Sequence, residues 1–402
     1  MLALLLCVAC PSPAAPPETK PSATNLPELK AFASKHYTIY TNLSRAETLP
    51  YGTHMDAVFE EYDRRFTSFR PQTAQLMSLF IFRTQKQYQA YLQHHDLDAN
   101  NTSGMFFIQP DLQGLATFIN GRPRSTVFQT LQHEGFHQFA HIYFGGHLPT
   151  WLNEGLAQYF EDGILVDSAM TIGLVNPTRL VSVQQALAKG TAFDFNKLLA
   201  LSNDAWNHTL RTNAKKATML YDQAWLATYF LIHAENGKYR PAFEQMLLLI
   251  SQGTPANEAF AQAFGNMDTT SFRQRWENYA RALKPDPLAT AAVRLEMLCQ
   301  ALAFLHDKNL RMPASADELR RTLLRIGYRG ERTRNNVTTH LSGSDNTAFV
   351  YPRSNGEPVA FDFLPAVPGF PPALRATELK PTPVLIWSRD AAGKAAFDVE
   401  YK

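Results

Sequence analysis

STVFQTLQHEGFHQFAHIYFGGHLPTWLNEGLAQYFE, residues 125–161, decides how the rest of the chain is read. Val127, Phe128, Leu131 and Phe136 recur at helical spacing, and Thr126 with Gln129 has the spacing of an N-cap and its reciprocal partner. His133 and His137 are four residues apart, so they stack on one helix face, where two imidazoles reach one metal ion. Glu134 follows the first of them, where its carboxylate reaches a water on that metal. A catalytic zinc takes three protein ligands and keeps one position open, so a third ligand must come from elsewhere.

Glu154 is the best candidate, seventeen residues after His137. Gly145-Gly146 lets the chain leave the first helix, and Pro149 near the first turn of a second brings Asn153-Glu154-Gly155 back to face the histidines. Glu161 is a weaker candidate, since two more turns carry it roughly 10 Å along the axis. His141 continues the histidine stripe and His147 sits in the connecting loop; each is a minor alternative.

Working outward, the first 120 residues read as a small α/β unit. His36–Tyr40 and Leu76–Phe82 suit strands, the stripe Met55, Val58, Phe59, Tyr62 and Phe66 suits a helix, and Gln85–Leu92 suits another. Gly104–Ile108 and Leu115–Ile119, separated by Gln109-Pro110-Asp111, suggest a hairpin. From Ser125 to Leu283 the pattern is mostly helical, with further stripes at Thr218–His233 and Pro241–Ile250. Lys284-Pro285-Asp286-Pro287 marks a boundary. Beyond it come helices at Ala291–His306 and Ser315–Ile326, with Ser315 and Glu318 spaced as a capping box. Strand-like pieces follow at Thr347–Tyr351, Val359–Phe363, Pro383–Trp387 and Ala396–Tyr401. The pattern of this tail resembles pilin-like domains, a helix on a small antiparallel sheet. The expected organisation is a leader and linker at 1–25, an α/β part at 26–120, a helical metal-binding part at 121–285 and an accessory α+β domain at 286–402.

The N-terminus MLALLLCVAC is too short an apolar run to span a membrane. Val8-Ala9-Cys10 resembles a bacterial lipoprotein signal, with Cys10 as the lipidated residue. Export to the cell envelope or periplasm follows as the expectation, with a cytoplasmic location left open. The 402 residues are 45% hydrophobic and 18% charged, a globular balance. Lys and Arg (38) nearly cancel Asp and Glu (36), a net charge of +2 that is too small to suggest a polyanion binder by electrostatics alone. The arginines of 320–334, mixed with Glu318 and Glu331, read as a solvated face, so no nucleic acid is expected. Of three cysteines, two lie in the leader, and Cys299 reads as a buried small apolar side chain.

The segment 125–161 resembles the gluzincin metallopeptidases, which include thermolysin-like and aminopeptidase N-like enzymes. Within them it is most similar to uncharacterised bacterial peptidase-like proteins carrying His-Glu-x-x-His and Trp-Leu-x-Glu-Gly motifs, here His133 to His137 and Trp151-Leu152-Asn153-Glu154-Gly155. The resemblance extends over about residues 30–280, with its specific part in 125–161 and one later position. It implies an α+β thermolysin/aminopeptidase N-like module in which His133, His137 and Glu154 bind one zinc ion and Glu134 is the general base. It also implies that Tyr221, 67 residues after Glu154 and read as opening a helix, donates to the oxyanion. Structurally, Tyr221 is equally readable as a core aromatic. Aminopeptidases of the superfamily carry a Gly-x-Met-Glu-Asn strand whose Glu binds the substrate amine. Gly104-Met105-Phe106-Phe107 has phenylalanines there, so an endopeptidase acting on peptide or protein substrates is expected rather than a strict aminopeptidase. The rival expectation is an inactive envelope-binding or scaffold protein with a structural metal site. The oligomeric state is left open.

Overall fold

The computed structural model describes residues 6–9, 26–71, 76–100, 102–265, 269–334, 336–390 and 392–402. Cys10 lies outside them. The fold is α+β and forms two compact units, Met1–Ile172 with Phe193–Tyr279, and Gly173–Ala192 with Ala280–Lys402.

The first unit is built on strands β1 (Leu6–Ala9), β2 (Lys30–Ala33), β3 (Tyr37–Thr41), β4 (Met77–Phe82), β5 (Thr102–Ile108) and β6 (Gln113–Phe118). They form one sheet in the order β1-β5-β6-β4-β3-β2. β3, β4 and β6 run parallel, and the remaining pairings are antiparallel. The hairpin read from the sequence is β5–β6, with Phe106 opposite Leu115.

Alternation along β4 sends its side chains to two cores. Leu79 and Ile81 pack with Tyr37, Met55, Val127 and Leu131, from β3, helix α1 (Arg45–Arg65) and helix α3 (Arg124–Phe144). Phe80 and Phe82 pack with Tyr88, Leu92 and Phe107, from helix α2 (Gln85–His94) and β5. Capping boxes start both crossover helices, Ser44 with Glu47 for α1 and Thr84 with Gln87 for α2. α3 therefore lies on the sheet face shared with α1, its apolar side held by a packed core.

After α3 come α4 (Thr150–Glu161) and the small hairpin of β7 (Ile164–Val166) and β8 (Ala169–Thr171). Helix α5 (Pro177–Lys189) belongs to the second unit. The first unit then continues through α6 (Phe195–Leu199), α7 (Asn203–Thr212), α8 (Ala214–Gly237), α9 (Arg240–Ser251), α10 (Ala256–Phe264) and most of α11 (Thr269–Ala282). The sequence reading placed all of 121–285 in one helical part; residues 173–192 group instead with the tail. The Gln184 amide of α5 donates to the carbonyls of Ala280 and Leu283, and the N–H of Asp286 donates to Val175. An amphipathic stripe shows that a helix has a buried face but not which core covers it.

In the second unit α12 (Pro287–Asp307) packs on β15 (Pro383–Arg389) and β16 (Ala395–Tyr401), which pair antiparallel from Pro383 opposite Tyr401 to Arg389 opposite Ala395. The short strands β13 (Asp362–Phe363) and β14 (Leu374–Arg375) extend this sheet. Helix α13 (Ala316–Arg325) starts at Ser315, whose side chain accepts from the Glu318 N–H. Two further pairs complete the unit. One is the polar hairpin of β9 (Arg329–Arg334) and β10 (Val337–Ser342); the other joins β11 (Val350–Pro352) to β12 (Pro358–Ala360). The strand read at Thr347–Tyr351 is in its first half a 3-10 turn over Asn346–Phe349, because the Asp345 carboxylate accepts from the Thr347 N–H and curls the chain. Cys299 is fully buried in α12, and burial pushes its thiol pKa up.

Candidate metal centre

α3 starts three residues earlier than a Thr126 cap would allow: it begins at Arg124, Pro123 occupies the cap, and no side chain caps it. Thr126 lies in the first turn, where its carbonyl accepts from the Thr130 hydroxyl. Pro123 sets this start, since its fixed φ and missing N–H suit the edge of a helix. The helix ends as read, with Gly145 and Gly146 both at positive φ (60° and 75°), a conformation glycine adopts without strain. The chain then turns through Leu148 and Pro149 into α4, which packs along both α3 and α8.

That helical hairpin brings His133, His137 and Glu154 together, all buried, with one candidate ligand atom from each lying within 4.8 Å of the others. Glu154 Oε2 is 3.4 Å from His133 Nε2 and 3.5 Å from His137 Nε2, at the long edge of hydrogen-bonding range. The two rings stand nearly perpendicular, their centroids 4.8 Å apart. The outer nitrogens are already engaged. His133 Nδ1 is 2.9 Å from Glu161 Oε2, and His137 Nδ1 is 3.1 Å from Asn153 Oδ1. Both partners are acceptors, so each ring donates from Nδ1 and leaves Nε2 as the nitrogen that faces Glu154.

His137 Nε2 and both Glu154 carboxylate oxygens are buried without a well-formed hydrogen bond. Groups of this kind are costly in a protein interior unless something pairs with them. Burial works against charge here, yet Glu161 and Glu154 raise the pKa of His133, and the histidines lower that of Glu154. Positive charge is thus favoured in the space between the rings and the carboxylate. Two imidazole nitrogens and one carboxylate facing a common point are a donor set that fits a divalent metal ion.

Glu134 is fully buried next to this group, and its Oε2 accepts the Phe106 N–H of β5 at 2.9 Å. Its Oε1 makes no hydrogen bond, and burial raises its pKa despite the nearby histidines. Gly104 permits the close approach of α3 to β5. A Cβ there would stand 2.4 Å from Thr130 Cγ2 and 3.2 Å from Glu134 Cγ. Gly155 does the same for α8, since a Cβ would stand 2.2 Å from Thr228 Oγ1 and 2.5 Å from the Ala224 carbonyl. The glycine after the glutamate is therefore a packing requirement. Gln132 locks the end of α4 to α3: its amide donates to the carbonyls of Phe160 and Gly163, while its Oε1 accepts from His54 Nε2.

His141 and His147 stay outside the group. His141 is partly buried with its ring 5.9 Å from that of Phe106, and His147 is exposed in the loop. Glu161 faces the outer nitrogen of His133 instead of the ligand point. Axial rise argues only against its reaching the metal; seven residues after Glu154 it returns to the same helix face, the signal that marks it as a partner of the ligands. Tyr221 does not open a helix. α8 starts at Ala214, capped by the Asn213 side chain, and Tyr221 lies two turns inside. Its ring meets Trp206 edge-on and its carbonyl accepts from the Gln158 amide.

Residues 127–255, from the first turn of α3 to the start of α10, match a family described as a protein of unknown function, DUF1570. The matched stretch contains the whole His-His-Glu group. No curated protein and no solved structure matches the chain.

Proposed function

We propose that this protein is a gluzincin-type zinc peptidase, an endopeptidase rather than a strict aminopeptidase, that hydrolyses peptide bonds in peptide or protein substrates. The observation that carries the reading is the buried group of His133, His137 and Glu154 with Glu134 one residue away, its free oxygen unpaired. Zinc bound there would act as a Lewis acid on the scissile carbonyl and on the attacking water.

The chain's own residues do the rest. Glu161 and Asn153 hold the two imidazoles with their Nε2 lone pairs aimed at one point. The Phe106 N–H fixes one oxygen of Glu134 and leaves the other free to take a proton from the attacking water. The raised pKa of Glu134 suits a base that must later protonate the leaving amine. Tyr221, at the position where the resemblance implies an oxyanion donor, is taken for that role; it lies on α8, which packs along α4. β5 offers Phe106 and Phe107 and no carboxylate, so a free α-amine has no anchor on it. A structural zinc is closed by four protein ligands. Among the described residues this group has three, which favours the enzyme over a scaffold with a structural metal. We place the protein in the cell envelope or periplasm; lipidation at Cys10 would remove Leu6–Ala9 and with them the edge strand β1, leaving β5 at the edge of the sheet.

Metal analysis joined to a peptide-library digest tests the reading. The purified protein should hold one zinc per chain, a chelator should stop cleavage, and Glu134→Gln should keep the metal while losing about 100-fold or more in turnover. Absence of stoichiometric zinc, or Glu134→Gln cleaving as fast as the native protein, overturns it.

A further inference from the structure

Gln132 stands one residue before the first candidate ligand, is buried, and joins three helices. Its Nε2 lies 2.7 Å from the Phe160 carbonyl, 3.0 Å from that of Gly163 and 3.3 Å from that of Glu161. Carbonyls only accept, so the amide must turn its NH2 toward the end of α4 and its Oε1 away. Oε1 then meets His54 Nε2 at 3.1 Å, and an acceptor there requires His54 to carry a proton on Nε2. The Tyr62 hydroxyl, about two turns further along α1, donates to the Gln132 carbonyl at 2.6 Å. The hydrogen bonds thus run in one direction: α1 holds Gln132, and Gln132 holds the end of α4.

The last carbonyls of a buried helix need donors, and any cap would supply them. Here the donor falls on the residues that carry Glu161, whose Oε2 is 2.9 Å from His133 Nδ1. Adjacent residues of α3 therefore grip the same short stretch of α4. Gln132 takes its backbone, and His133 takes the Glu161 side chain. The first contact sets where the Glu161 carboxylate can stand, and that carboxylate sets the direction of the His133 ring.

We infer that Gln132, held by His54 and Tyr62, is a positioning residue for the metal centre and acts through Glu161 on the orientation of His133. The inference rests on the zinc reading, and a double-mutant cycle separates the two. Zinc affinity is measured by chelator competition for the native protein, Gln132→Met, Glu161→Ala and the double variant, beside the visible spectrum of each cobalt-loaded protein. Gln132→Met keeps the volume and removes the donor; it should weaken zinc binding about 10-fold and shift the cobalt bands, which follow ligand geometry. In the Glu161→Ala background the same change should cost less than about twofold, because the group it positions is gone. His54→Phe, which removes only the group that orients the amide, should weaken binding about threefold in the native background and not at all in Glu161→Ala; it decides the matter if Gln132→Met does not fold. Losses equal in the two backgrounds, or native affinity with an unchanged cobalt spectrum in both variants, overturn the inference. No zinc bound by the native protein defeats the metal reading instead.

Discussion

α3 and α12 are both 21 residues long and both are covered by their own units, yet they bury opposite things. α12 hides Leu288, Ala291, Leu295, Leu298, Cys299, Leu302 and Leu305, a helix whose interior is entirely apolar. α3 hides Val127, Leu131 and Phe136 on the same terms, but also Gln132, His133, Glu134, His137 and Gln138. Some of those polar atoms are tied down by Glu161, Asn153, Ser78 and Phe106, and others make no hydrogen bond. Each untied atom lowers stability by about 1–3 kcal/mol unless a ligand meets it. The difference teaches where to look for function: at the helix that gives up stability for chemistry.

If α12 is purely structural, its largest response is to lost volume. Leu298→Ala should destabilise the second unit by about 2–5 kcal/mol, read by denaturant unfolding, while metal content and cleavage stay as in the native protein. A loss of metal in that variant would break the comparison.

The α3 side should respond to acid. His54 is buried against Phe128, its rings stacked at 3.9 Å, and burial lowers its pKa to about 4 even though the Gln132 contact favours the proton. The unfolded chain binds that proton near pH 6.5, so His54 contributes its full stabilisation above that value and loses it as pH falls toward 4. About 3 kcal/mol is at stake. Comparing unfolding at pH 7 and pH 4.5 for the native protein and His54→Gln should show a shallower acid loss in the variant. Equal slopes would show that His54 does not carry it.

The smallest expected effect sharpens the comparison most. Asn153→Ala and Glu161→Gln remove the groups that orient the imidazoles and should weaken metal binding about 10- to 100-fold, with little change in the fold of the metal-free protein. Competition with a chromophoric chelator measures this directly. Unchanged affinity would mean that the hydrogen bonds to Nδ1 do not position the ligands.

Much of the candidate site was legible in the residues because it depends on short-range geometry. Four-residue spacing places His133 and His137, and a double glycine followed by a proline returns Glu154 to them. Glu161 was rightly set aside as a ligand, but rise along the axis asks only about the metal, and its place against the outer face of the His133 imidazole went unread. Tyr221 was misplaced because its apolar neighbours hid the Asn213 cap two turns upstream. In the fold, the core strands were visible as apolar runs. The β9–β10 hairpin was not, since RGERTR is mostly polar and its alternation carries no hydrophobic signal. The allegiance of α5 depends on hydrogen bonds to residues about a hundred positions away, which periodicity cannot show.

All three candidate ligands fall between residues 133 and 154, on a hairpin closed by Gly145 and Gly146. The chain entropy lost in bringing them together is that of a short loop, so the hairpin can assemble its ligands before the long-range sheet around it is complete. A metal captured at that stage would staple α3 to α4 from within and give the first unit a local nucleus. The second unit has short hairpins of its own, but its core closes only when residues 173–192 meet residues 280–402.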